Sequence, residues 1–187
     1  RNKYVALARF FRAYFYFEKV KRFGDVPYFD KQLGSDSPEL YKPRDSREFV
    51  MDRIIEDLDF AATYLSANRD SYRITRWTAL ALKSRACLFE GTFRKYHDVS
   101  PSTGLPWDAD YETAEEFLQL AYKYAGELID QKAFTLEPDY RKLFTSEKLC
   151  KNEVIWGRSF SEELSMNHDA TFKYCSATSS KLYSPTK

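Results

Sequence analysis

An indole in a loop bounded by proline and glycine is the most suggestive chemistry in this sequence. Trp107 stands between Pro106 and Asp108, a few residues after Gly104, with Tyr111 close behind. Sugar rings present apolar C–H faces and outward hydroxyls, so a carbohydrate site needs exposed flat aromatic rings with planar hydrogen-bonding side chains beside them. Trp107, Tyr111 and Asp108 supply that combination, and loop residues are more often exposed than helical ones. The competing reading is that Trp107 folds back and staples its own loop to the core. Tyr28, after Pro27, and Tyr41, just before Lys42-Pro43, offer rings on an earlier loop, with packing over helix ends as their alternative. Trp77 and Trp156 fall in periodic segments and are expected in the core.

Catalytic chemistry has little to work with. His97 and His168 are far apart, and neither has a helical partner three or four residues away for a metal site. No Gly-x-Ser-x-Gly, Gly-x-Gly-x-x-Gly or phosphate-binding loop occurs. Glu115-Glu116, Glu162-Glu163 and Asp108/Asp110 are carboxylate pairs of the kind a glycosidase uses, but adjacent charges at helix starts and in loops are usually solvated surface. Asp108-Ala109-Asp110 lacks the full spacing of an EF-hand calcium loop. The cysteines Cys87, Cys150 and Cys175 are widely spaced, without a CxxC pair, and Cys87 reads as a small hydrophobe on a helix. The chain is therefore expected to bind, not to catalyse, and to need no cofactor or metal.

The elements that must position these residues are helical. A chain of 187 residues with 43% hydrophobic and 30% charged residues builds a folded core. With 29 basic and 28 acidic residues, the net charge of +1 provides no field to collect a polyanion or an anionic membrane surface. Tyr4 to Phe23 carries no helix breaker, and Gly24 closes it. Asp45 with Glu48 has capping-box spacing ahead of Met51, Ile54, Ile55, Leu58, Ala62 and Leu65. Thr75 caps a third helix, with Trp77, Leu80, Ala81, Ser84 and Leu88 on one face and Gly91 at its end. Thr113 and Glu116 repeat the capping box before Phe117, Leu120, Ala121, Tyr124, Leu128 and Ile129. A short turn is expected at Tyr140 to Phe144, and an extended piece where Val154, Trp156 and Phe160 alternate. Long irregular loops run from Gly24 to Pro43 and from His97 to Tyr111. Arg9, Arg12 and Lys19 form a basic stripe, expected to pair with Glu56, Asp57 and Asp59 on a neighbouring helix. The fold class is all-α, with tetratricopeptide-like antiparallel helix pairs whose repeat is degenerate.

The run Ala8-Arg9-Phe10-Phe11-Arg12-Ala13-Tyr14-Phe15-Tyr16-Phe17, followed by Lys21-Arg22-Phe23-Gly24-Asp25-Val26-Pro27, resembles the SusD/RagB family of outer-membrane nutrient-binding lipoproteins. The likeness continues through Pro43-Arg44, Ile54-Ile55-Glu56-Asp57-Leu58-Asp59, Arg73-Ile74-Thr75-Arg76 and Asn152-Glu153-Val154-Ile155-Trp156. The resemblance implies a helical scaffold, a surface glycan site made of loops, a SusC-like TonB-dependent transporter as partner, and a lipid anchor at the cell surface. Tyr72 precedes Arg73 where the family often has glycine, and no lipid-bearing cysteine stands near the start. Residues 1–187 are thus expected to form a single helical region of a longer protein. The alternative function is a tetratricopeptide-like scaffold that holds a protein or peptide in a groove between helices.

Overall fold

The computed structural model describes residues 2–146 and 148–158. Their helices are α1 (Asn2–Phe23), α2 (Arg47–Tyr64), α3 (Arg76–Lys95), α4 (Ala114–Asp130) and the short α5 (Tyr140–Thr145), with a 3-10 turn at Pro38–Tyr41 inside the first loop. Among the described residues the only β-type pairings are the isolated bridges Val26–Asp45 and Val99–Pro106. The all-α expectation holds.

Local chemistry explains where the helices begin and end. Gly24 adopts φ +66° and donates its N–H to Val20 O at 3.0 Å, the left-handed stop that a side chain would resist. At α2 the cap is Ser46, whose hydroxyl accepts from Phe49 N at 3.2 Å, one residue after the expected Asp45. Asp45 faces the first loop instead and accepts from Tyr28 N at 2.6 Å. Thr75 and Thr78 form the capping box of α3, and Thr113 with Glu116 that of α4. Helix α3 continues a full turn past Gly91, which lies mid-helix where α4 comes close. A Cβ there would stand 2.9 Å from Leu118 Cγ and 3.0 Å from Ala114 O, so the glycine serves close approach and not termination.

The helices pack as antiparallel neighbours. Arg9 and Arg12 of α1 meet Asp57 of α2, at 2.5 Å from Arg9 Nε and 2.6 Å from Arg12 Nε, while the loop after α1 bridges back to Asp45 just before α2. On the other side, Ser84 of α3 donates to Ala121 O of α4 at 2.9 Å, and Gly91 faces Leu118 and Ala114. Phe10, Phe17, Met51, Ile54, Leu58 and Phe117 are fully buried at the centre, each removing apolar area worth about 1.5–3 kcal/mol from water.

Three expectations need correction. Leu88 is 52% exposed, because α3 is gripped by α2 on one side and α4 on the other, and its inward stripe runs through Leu82, Ala86, Cys87 and Glu90. Trp156 is 41% exposed and lies edge-on to Phe10 and Tyr14 of α1, in a cleft that Ala81 and Arg85 of α3 also line, with an irregular backbone instead of an extended one. Lys19 meets no carboxylate among the described residues; its ammonium lies over the rings of Phe15 and Phe23, and Asp59 pairs with Lys83 instead. Phe160, Glu162, Glu163, His168 and Cys175 lie outside the described residues.

Candidate functional site

Alternating helix direction puts the α1–α2 loop and the α3–α4 loop at the same end of the bundle. They touch there: a Cβ on Gly24 would sit 3.4 Å from Ser102 Oγ. The second loop is closed on itself by Ser100 N donating to Leu105 O at 2.8 Å and by the Val99–Pro106 bridge. That closure delivers Trp107 to the last turn of α3.

Both readings of Trp107 contribute to its position. Its Nε1 donates to His97 O at 2.6 Å, its ring meets Phe93 edge-to-face at 6.2 Å, and the Arg94 guanidinium lies 5.2 Å from its centroid, so the indole does staple the loop. It remains only half-buried, and it lines a pocket of about 260 Å³ together with Arg94, Asp108, Tyr111, Thr113 and Ala114. Three of the five sequence candidates, Trp107, Asp108 and Tyr111, therefore converge. The Tyr111 phenol is pushed up from its ordinary pKa by burial first and then by the Asp108 charge, with smaller contributions from Asp52 and Glu48. Asp108 also shapes the loop, accepting from Asp110 N at 3.0 Å.

The other two candidates part company. Tyr28 is only 8% exposed, with its ring 4.6 Å from that of Tyr16 and edge-to-face with Phe49, so it is core and not a ligand platform. Burial, with help from the Asp57 charge, pushes its phenol up to about 12. Tyr41 ends the 3-10 turn 88% exposed, and it does not line the Trp107 pocket.

Sequence patterning overlooked a buried ionic cluster beneath this pocket. Glu90 is fully buried and accepts from Arg47 Nε and Nη2 at 2.9 and 2.7 Å and from Arg94 Nε at 2.9 Å. Arg94 Nη1 donates to Glu112 O at 2.6 Å, tying the end of α3 to the segment entering α4. The Arg47 guanidinium lies 3.7 Å above the Phe93 ring. The available signal was Glu90 and Arg94 at i, i+4 spacing on a stripe that otherwise points inward. A roomier cleft of about 600 Å³ also went unforeseen at the opposite end, where Tyr4, Leu7, Phe11, Leu65, Asn68 and Arg73 line it; none of the five candidates reaches it.

Comparison with known proteins agrees with this architecture. Residues 1–88 match a SusD-like family described as starch-binding and associating with the outer membrane. A SusD-like protein of Bacteroides ovatus is 28% identical over 145 residues, covering 77% of this chain and 24% of that protein. Two solved structures share the fold. One is a SusD homolog from Bacteroides thetaiotaomicron, with a TM-score of 0.66 at 25% identity over 86% of this chain and 29% of the other. The second, solved with xylogluco-oligosaccharide, has a TM-score of 0.54 at 28% identity over 76% of this chain and 26% of the other. The chain thus spans about a quarter of the length of the relatives it matches. In its helix order and in these likenesses the chain is similar to SusD-like proteins, with the family model reaching over its first 88 residues.

Proposed function

We propose that this chain is part of a glycan-binding component of an outer-membrane nutrient-uptake system, which holds oligosaccharide and presents it to a SusC-like TonB-dependent transporter without breaking bonds. In this reading the full-length protein is held at the cell surface by a lipid anchor. The observation that carries the binding role in this chain is the meeting of Trp107, Asp108 and Tyr111 around one pocket, an indole beside hydrogen-bonding groups. The family description and the relative solved with an oligosaccharide support a carbohydrate as ligand.

Titration of the intact protein against a broad polysaccharide panel tests this. Binding to at least one glycan is expected, weakened by roughly two- to tenfold in Trp107→Ala, since a lost ring contact is worth roughly 0.5–1.5 kcal/mol beyond its area. Silence across the panel sinks the reading. The transporter partnership is tested separately by co-purification from outer membranes. A second reading, a scaffold for a peptide, draws on the 600 Å³ cleft with its exposed Tyr4 and Phe11. Capture of an extended or helical peptide, abolished by Phe11→Ala while glycans give no response, favours that alternative.

A further inference from the structure

Arg94 holds an unusual position on the wall of the Trp107 pocket. The residue is 4% exposed, and two of its three guanidinium nitrogens are committed, Nε to Glu90 and Nη1 to Glu112 O. The third, Nη2, is buried without a hydrogen-bond partner among the described residues. A buried donor left unmade costs about 1–3 kcal/mol, and an acceptor that reaches it recovers that cost as affinity. Arg94 lines the pocket but Nη2 itself lies under cover, so an acceptor meets it only where the Trp107 ring shifts from its bond to His97 O and its contacts with Phe93 and the Arg94 guanidinium.

The charges around the pocket decide which acceptor is suitable. Arg94 shares the single Glu90 carboxylate with Arg47, which leaves one positive charge in the cluster. Against it stand Asp108 and Glu112 on the pocket wall, and Asp52 and Glu48 near enough for their charges to act on Tyr111, with Arg53 opposing them. An incoming carboxylate is therefore drawn to one guanidinium and repelled by several acidic groups. A hydroxyl has no such conflict: it accepts from the arginine and donates to the aspartate. We infer that this pocket takes a neutral sugar residue, one hydroxyl of which accepts from Arg94 Nη2 while donating to the Asp108 carboxylate, and that it excludes sugars bearing acid groups. The volume of about 260 Å³ is below the roughly 300–1,000 Å³ of pockets that enclose a whole small ligand. It suits one ring of a longer chain. The inference rests on the proposed glycan-binding role and narrows it.

The test compares retention of the intact protein by neutral polysaccharides (starch, xyloglucan, galactomannan) with retention by polygalacturonate and alginate. The same measurements are made on Trp107→Ala, Arg94→Lys and Asp108→Asn. Lysine keeps the charge facing Glu90 but has a single nitrogen, which cannot also occupy the Nη2 position, and asparagine keeps the turn while removing the repelling charge. Retention by a neutral glycan only is expected, weakened roughly tenfold in Arg94→Lys, and the neutral-to-acidic preference narrows in Asp108→Asn. A purely structural arginine predicts lower melting temperatures with that preference intact, and this outcome overturns the inference. Wild-type retention by an acidic glycan at equal or greater strength, lost in Trp107→Ala, also overturns it but leaves the glycan-binding role standing. Neutral-glycan binding indifferent to Trp107→Ala places the contact elsewhere and removes both the pocket and its selectivity.

Discussion

Two glycines in helix interiors should respond oppositely to the same substitution. Gly91 lies in α3 and Gly126 in α4, and alanine at either gains helix propensity worth about 0.5–1 kcal/mol. At Gly126 nothing stands within 4 Å of the added Cβ, so the whole gain is kept. At Gly91 the Cβ arrives 2.9 Å from Leu118 Cγ and 3.0 Å from Ala114 O. The leucine can rotate aside, but the carbonyl belongs to the first turn of α4, which the Thr113–Glu116 box and the Arg94 bond to Glu112 O hold in place. Forcing an extra methyl into a packed interface costs about 1–3 kcal/mol. The two alanine variants should therefore differ in stability by roughly 1–3 kcal/mol, seen as a shift in urea midpoint at unchanged m-value, or as several degrees in melting temperature. Ala114 and Thr113 also line the Trp107 pocket, so Gly91→Ala should weaken glycan binding while Gly126→Ala leaves it unchanged. If Gly91→Ala proves as stable as Gly126→Ala, the close approach of α3 to α4 is not what the glycine provides, and the placement of the pocket wall by that contact is refuted.

Glu90→Gln removes the carboxylate shared by two buried arginines and should cost about 3–5 kcal/mol in chemical denaturation, part of it recovered by adding Arg47→Met. A loss below 1 kcal/mol would show the cluster to be solvated. Tyr28 has its folded pKa raised from the ordinary 10.0 to about 12, chiefly by burial. Its contribution is complete below pH ~10, the unfolded value, and disappears as pH climbs through the folded value, because the unfolded chain releases the proton first. Stability should fall across that alkaline window, and Tyr28→Phe should flatten the fall; an unchanged slope excludes Tyr28 as its source.

Much of the fold was legible because its signals are local. Helical periodicity over ten or more residues and side chain–backbone caps are written within a few positions of one another, and Thr75 and Thr113 cap where the pattern put them. What escaped depends on a neighbour. Asp45 and Ser46 are both good caps, and the choice went to Ser46 because Asp45 is drawn off by the Tyr28 amide, 17 residues back. Gly91 carries the composition of a helix stop, and only the arrival of α4 shows that it marks a crossing. A single apolar stripe on α3 would turn Leu88 inward. A helix held on two sides buries polar residues as well, and Lys83, Glu90 and Arg94 took that place.

The candidate site divides along the same line. Tyr28 follows Pro27 and Tyr41 stands two residues before Pro43 in the first loop, yet one is core and the other stands in solvent. Tyr16 and Phe49, on different helices, decide between them. The grouping of the two loops at one end needed less information. With each helix antiparallel to the next, the first and third connections fall on the same side and the second falls on the other, whatever their sequences. Long first and third connections and a short second one, 65–75, therefore already imply one elaborated end of the bundle. What a pattern of apolar and polar positions does not carry is the depth of each side chain. Arg94 follows from that gap: a cation reads as surface until Glu90, one turn earlier on the same inward stripe, gives it a buried partner and leaves one guanidinium nitrogen over.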